Sequence, residues 1–257
     1  MFDNFLPKSF QRVLIEIWGI HHFSMRYFSE ALKPPYEIKE LLRQFFQIGN
    51  KSLGLVGITG FIIGFVLALQ AIPTLEPFGA TSLIPAMISI GIVREIGPVI
   101  TGLICAGKIG SGIGAELGSM KVTEQIDAME VSACNPFNFL VITRVTATTL
   151  MIPLLIIFAN TIALLGGYIA LNIVSDVSLT LFFSQVFDTL TYEDVIPATI
   201  KTFFFGFTIG IVGSYKGYNA DRGTESVGVA ANTSVVISSL MVIIWDMIAV
   251  QITSILF

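Results

Sequence analysis

The chain has 257 residues, of which 54% are hydrophobic and 12% charged; its formal net charge is −4 and its mean hydropathy +0.82. Ordinary soluble domains carry roughly 25% charged residues, so a water-soluble globule is excluded. The slightly acidic balance says nothing about nucleic acid, and no basic run suggests it.

The first 51 residues are mixed in character. Glu16 interrupts their apolar stretch and no small-residue cleavage site follows, so they do not read as a secretory signal. Phe10, Val13, Leu14, Ile17, Trp18, His21, Met25, Phe28 and Leu32 recur at helical spacing, with Gln11, Arg12 and Glu16 elsewhere around the helix. This predicts an amphipathic helix in the membrane interface, anchored by Trp18 and Tyr27 and ended by Pro34-Pro35; the alternative is an ordinary helix packed on its neighbours. A second amphipathic piece (Ile38, Leu41, Leu42, Phe45, Ile48) leads onward. His21 and His22 are adjacent and have no ligand-spaced partner, so they predict no metal site.

Residues 52–257 contain five apolar runs. Leu53 to Leu75 and Val145 to Ser175 carry no charge; Leu83 to Gly107 carries only Arg94 and Glu95, Ile196 to Tyr215 only Lys201, and Ser226 to Phe257 only Asp246. Each run reaches the roughly 20 residues that a bilayer crossing requires, which predicts an all-α membrane protein with spans over 53–75, 83–118, 139–171, 196–215 and 228–256. Basic residues flank the N-terminal segment (Lys8, Arg12, Arg26, Lys33, Lys39, Arg43, Lys51) and the second and fourth connections (Lys108, Lys121, Arg144; Lys216, Arg222). The connections around Glu76 and from Asp176 to Asp194 carry none. The positive-inside rule therefore predicts a cytoplasmic N-terminus and an external C-terminus. Cys105 in a span and Cys134 on the predicted cytoplasmic side are not expected to pair.

In the second span Gly102, Ala106, Gly110, Gly114 and Gly118 recur every four residues, beside a parallel row of Gly107, Ser111, Ala115 and Ser119. Such a row clears one helix face over about 24 Å for close approach of another backbone, either as static packing or as a seam that slides. Shorter rows occur at Gly60, Gly64, Ala68 and at Gly206, Gly210, Ser214. Gly102 to Lys108 reads G-x-x-x-x-G-K, but Ile109 stands where a magnesium-binding Ser or Thr belongs and no strand precedes it, so it is no phosphate loop. With no nucleotide motif in the chain, any ATP and magnesium belong to a separate protein.

Arg94, Glu95, Lys201 and Asp246 lie at membrane depth, at an insertion cost near 2.5–3.5 kcal/mol for each Asp, Lys or Arg at the centre. Arg94 and Glu95 point about 100° apart and need partners on other helices. Glu95 and Asp246 fall roughly 16–18 Å below the outer face, whereas Lys201 is close enough to that face to snorkel. The four predict a polar cluster that lines a cavity or gates it, or else structural ion pairs. After Gly118 the chain turns polar. Thr123 is the expected N-cap of a short helix over 120–132, with Glu124, Gln125 and Asp127 in its first turn and Val122, Ile126 and Met129 on a narrow apolar stripe. Such a helix is either a connector or a peg for a cytoplasmic motor, its stripe seated in the motor's groove.

The stretches Arg94-Glu-Ile-Gly-Pro98, Ala115-Glu-Leu-Gly118 and Met120-Lys-Val-Thr-Glu-Gln-Ile-Asp-Ala-Met-Glu-Val131 closely resemble the signature of the MlaE family of ABC-transporter permeases. The similarity is densest over 94–144 and extends across the chain. Ser132-Ala-Cys134 departs from the family pattern just after the block. The resemblance implies a homodimeric permease in a bacterial inner membrane, bound to two cytoplasmic ATPase subunits and to a periplasmic MCE-domain protein, moving phospholipids or similar lipids. It also makes Glu124 to Val131, including Glu130, the coupling helix, and Glu95, Lys201 and Asp246 polar residues of the lipid path or its gate. Two other classes stay open: a proton-coupled secondary transporter using Glu95 or Asp246, against which the lack of visible inverted repeats counts, and a non-transporting membrane scaffold.

Overall fold

The computed structural model describes residues 8–34 and 36–256. Pro35, Phe257 and the side chains of Lys8, Ser9, Phe10, Arg12 and Val13 lie outside them, and with them that part of the expected amphipathic helix. Every described element is helical. Helix α1 covers Lys8–Ala31. Five long helices follow: α2 (Ile38–Phe78), α3 (Thr81–Val122), α5 (Phe137–Ser175), α7 (Tyr192–Tyr218) and α8 (Thr224–Leu256), each long and apolar enough to cross a membrane. Two short ones intervene, α4 (Gln125–Val131) and α6 (Leu179–Thr189). The chain is a multi-pass membrane protein. The second amphipathic piece and the first span form one helix, joined through a π turn at Phe46–Asn50. Helix α6 lies in what reads as a loop; Phe182 and Val186 bury its inner face against the bundle.

Small side chains decide how closely these helices approach. On α2, a Cβ added to Gly60 would stand 2.7 Å from the Ala159 carbonyl oxygen of α5, and Gly64 is tighter still on the Ala163 carbonyl. Between α7 and α5, a Cβ on Gly206 would lie 2.6 Å from the Thr148 carbonyl oxygen. At these points backbone rests on backbone, as short-range packing in lipid favours.

The long row on α3 meets α7 and α8, and it is unevenly tight. Gly102 faces Phe205 and Val242, Ala106 is fully buried, and Gly118 faces Val227 and Ala230. A Cβ on Gly114 would stand 2.6 Å from Ser234 Oγ and 3.0 Å from the Ala230 carbonyl oxygen; on Gly110 the nearest atom, in Ile209, is 3.5 Å away. Gly110→Ala is therefore expected to gain about 0.5–1 kcal/mol from reduced chain entropy, and Gly114→Ala to lose about 1–3 kcal/mol by overpacking. Thermal melting of the two purified variants checks this; equal melting would mean that α8 does not press on α3 at Gly114. The parallel row is partly or fully exposed, and a Cβ on Gly107 would meet nothing within 4 Å.

Helix α1 has one packed face and one open face. Phe23 packs edge-on against Phe137 at 5.1 Å and Tyr215 at 5.5 Å, and Glu16 pairs with Lys216 at the end of α7. Leu14, Ile17, Trp18, Met25, Phe28 and Leu32 point outward, with Trp18 68% exposed. Tyr27, expected as an interfacial anchor, is instead 9% exposed. Its hydroxyl lies 3.0 Å from Thr146 Oγ1 on α5, so its phenol is sequestered by the bundle. Burial pushes its pKa above the ordinary value, and the Thr146 hydrogen bond offsets part of the rise.

Candidate functional site

The charges within the spans meet at one place. In α3 a π turn over Ile92–Ile96 runs into Gly97-Pro98. Pro98 has no N–H to offer the carbonyl of Arg94 four residues earlier. Lys201 Nζ of α7 donates to that carbonyl oxygen at 2.7 Å and to Glu95 Oε2 at 2.9 Å, and it lies 2.8 Å from Asp246 Oδ1 of α8. Three spans are thus tied through one ammonium group. Lys201 is 4% exposed and does not snorkel, because three oxygens hold it inside. Arg94 turns the other way and lies 3.6 Å from Asp194 Oδ1. Asp194 also accepts from the Thr191 backbone N–H and hydroxyl, closing the capping box that starts α7.

Beside the cluster, α7 and α8 border an apolar cavity of about 470 Å³ that is open along its outer side, where Ile196, Ile200 and Ile252 are each about half exposed. Tyr192 and Leu256 line one end, Ile196, Ile200, Ile248 and Ile252 the walls, and Lys201, Phe204 and Trp245 the other end. Phe204 and Trp245 stack there with ring centroids 5.0 Å apart. From Tyr192 to Phe204 is about 18 Å of helix, so the cavity runs from the bundle's acidic end inward to the buried lysine. Its size and lining suit aliphatic chains, with one polar corner.

The short helix α4 sits at the opposite end, and two expectations for it need correcting. Thr123 is not its N-cap: its hydroxyl donates to the Ser119 carbonyl oxygen at 2.8 Å, closing α3, so residues 120–122 belong to α3. Glu124 occupies the position before α4 with φ 58°, in the left-handed region, and no side chain caps the first turn. The second correction concerns the apolar stripe. Ile126 is 1% exposed and sits in the protein's own core with Leu117, Leu140 and Ile48, and Met129 packs against the same cluster. The stripe fastens α4 to its own bundle and is not free to fill a partner's groove. The outward face is Glu124, Gln125, Asp127, Ala128, Glu130 and Val131, the last 89% exposed. Lys121 pairs with Asp127 at 2.8 Å at its edge.

The family model described as Permease MlaE matches residues 41–252. The chain belongs to the MlaE permease family. The permease is 37% identical over 222 residues to a probable ABC transporter permease protein of Rickettsia typhi, 86% of each chain being covered. It is 32% identical over 206 residues to one of Synechocystis, covering 80% of this chain and 78% of that one. A chloroplast protein of Arabidopsis thaliana named TRIGALACTOSYLDIACYLGLYCEROL 1 is 29% identical over 217 residues, 84% of this chain and 62% of its own length. This chain is therefore a permease subunit of an ABC transporter and is not itself the catalytic part.

The MlaE-type permease also contains an ion pair with a buried arginine that sequence reading missed. Arg144, at the start of α5, is 2% exposed; it donates to Glu116 Oε1 of α3 at 2.9 Å and to the Leu140 carbonyl oxygen at 2.9 Å. In the sequence Arg144 looks like one more basic residue flanking a span, and Glu116 one more acid near a polar connection. The available signal was that Glu116 stands within the small-residue helix, where a lone acid calls for a cation.

Proposed function

We propose that the permease moves phospholipids or related lipids between the bacterial inner membrane and the periplasm or outer membrane, as a homodimer driven by separate cytoplasmic ATPase subunits. In this reading residues 1–51 form the interfacial part and 52–257 the five-span permease, with the N-terminus cytoplasmic and the C-terminus periplasmic. ATP and magnesium bind the ATPase, and no cofactor binds this chain. The outer face of α4 meets the ATPase, and a periplasmic MCE-domain protein receives or delivers the lipid.

The observation that carries the reading is the apolar cavity between α7 and α8 ending on the Glu95–Lys201–Asp246 cluster. The lipid in the name of the Arabidopsis relative supports the same substrate class. Homodimer formation is supported by α8, where Val229, Val236, Leu240, Ile243 and Met247 are each more than half exposed. Their steps of seven, four, three and four are those of a helix–helix seam. The proton-carrier alternative is weakened because Glu95 and Asp246 both contact Lys201, so each already has a cationic partner.

Transfer of a labelled phospholipid between vesicles holding the reconstituted complex and an acceptor, with and without ATP, tests the function. Transfer should require both ATP and the ATPase subunits. Transfer that follows a proton gradient with the ATPase left out would overturn it. The purified permease alone is expected neither to bind nor to hydrolyse ATP; turnover that survives removal of contaminating ATPase would contradict the division of labour.

A further inference from the structure

A second pocket, of about 200 Å³, lies at the far end of the molecule from the α7–α8 cavity, where the end of α1, the first turns of α2 and the base of α5 meet. Three polar groups in its lining have no partner among the described residues. Asn138 is 8% exposed, and its Oδ1 is buried with no hydrogen bond. Glu37 and Lys33 make no side-chain hydrogen bond or ion pair. A buried amide oxygen without a donor costs stability unless something else supplies one. The other polar groups there are already engaged: Glu30 with Arg26 and Asn135, Tyr36 with the Leu32 carbonyl, Thr146 with Tyr27, and Thr143 with the Phe139 carbonyl. The free set is one cation, one anion and one buried acceptor.

The rest of the lining is apolar, including Ile38, Leu41 and Ile142. Tyr36 and Ile38, which line the pocket, are 61% and 63% exposed, and Leu32, just before it in the chain, is 82% exposed. A ligand suited to this pocket carries a phosphate and a primary ammonium a few bonds apart, with hydrocarbon extending from one side. We propose that the pocket binds the headgroup of an aminophospholipid from the surrounding leaflet. Lys33 takes the phosphate, and Glu37 and Asn138 Oδ1 accept from the ammonium. This lipid is a resident of the α1–α2–α5 junction and not cargo, so the assignment stands whether or not the α7–α8 cavity carries lipid.

The experiment is native mass spectrometry of the purified permease with equal amounts of dioleoylphosphatidylethanolamine and dioleoylphosphatidylcholine, whose methylated ammonium has no N–H to donate. Wild type should retain the ethanolamine lipid about tenfold more, the scale of one charge-assisted hydrogen bond. Glu37→Gln, Lys33→Gln and Asn138→Leu should each reduce that preference, and the first two change partly or fully exposed residues that the fold does not use. Ile252→Trp, which adds bulk within the α7–α8 cavity, should leave it intact. Soluble phosphoethanolamine should bind at least tenfold more weakly than the lipid, because it lacks the chains that lie against the apolar wall. Equal retention of the two lipids overturns the proposal. So does a preference that persists in all three pocket variants, one lost on adding bulk to the other cavity, or phosphoethanolamine binding as tightly as the lipid.

Discussion

Lys201→Met is expected to cost the folded permease about 3–5 kcal/mol, the range found when one partner of a buried ion pair is removed. The variant would strip a donor from the Arg94 carbonyl and leave Glu95 and Asp246 facing each other without a cation. The triple variant Glu95→Gln, Lys201→Met, Asp246→Asn should recover most of the loss, since no charge is then stranded. Melting temperature in one detergent checks both, and a single variant as stable as wild type would show that the lysine holds nothing. Lipid transfer separates structure from function on the same cluster. Glu95→Gln and Asp246→Asn keep size and shape, and each leaves Lys201 one carboxylate and the Arg94 carbonyl. They are expected to give a folded, ATPase-bound complex with impaired transfer and ATPase activity that no longer follows transport. Wild-type transfer by Glu95→Gln would remove Glu95 from the site.

Helix α4 gives the second large effect, with its two faces behaving differently. Ile126→Asp forfeits about 1.5–3 kcal/mol of apolar burial and places a carboxylate among Leu117, Leu140 and Ile48, where an unpaired charge is costlier still. The expected result is loss of folded protein, with or without ATPase present. Glu124→Lys with Asp127→Lys changes only the exposed face. It breaks the outer Lys121–Asp127 pair, worth about 0.2–1 kcal/mol, and should barely move the melting point while sharply reducing co-purification of the ATPase. Normal co-purification of this double reversal would leave α4 a simple connector.

The spans were legible because charge is so costly in lipid that a charge-free run of about twenty apolar residues marks a bilayer crossing. The same cost made Arg94, Glu95, Lys201 and Asp246 stand out. Asp194, Glu116 and Arg144 did not, since they lie near span ends, where ionisable residues are ordinary and one sequence gives no sign of which are paired. Depth counted along single helices placed Lys201 nearer the surface than Glu95, whereas the packed helices bring Lys201 Nζ to 2.9 Å from Glu95 Oε2, a contact between helices that no count along one helix can show. For α4 the period of Ile126 and Met129 fixed a stripe but not what it faces, because an inward-facing and a partner-facing stripe have the same spacing. Helix α6 was hidden by its length: eleven residues with two buried side chains leave little periodicity to detect.

The uneven way the spans hold one another bears on how the permease wears under stress. Helices α2 and α5 grip along touching backbones at Gly60 and Gly64, whereas α8 buries only Ala230, Ser234, Ser238 and Val242, one residue per turn. Harsh detergent or mechanical pulling should therefore peel α8 away first and leave α2 and α5 associated. The cavity beside α8 and the Asp246 contact to Lys201 would vanish in that same event, so transport would fail well before the bundle comes apart.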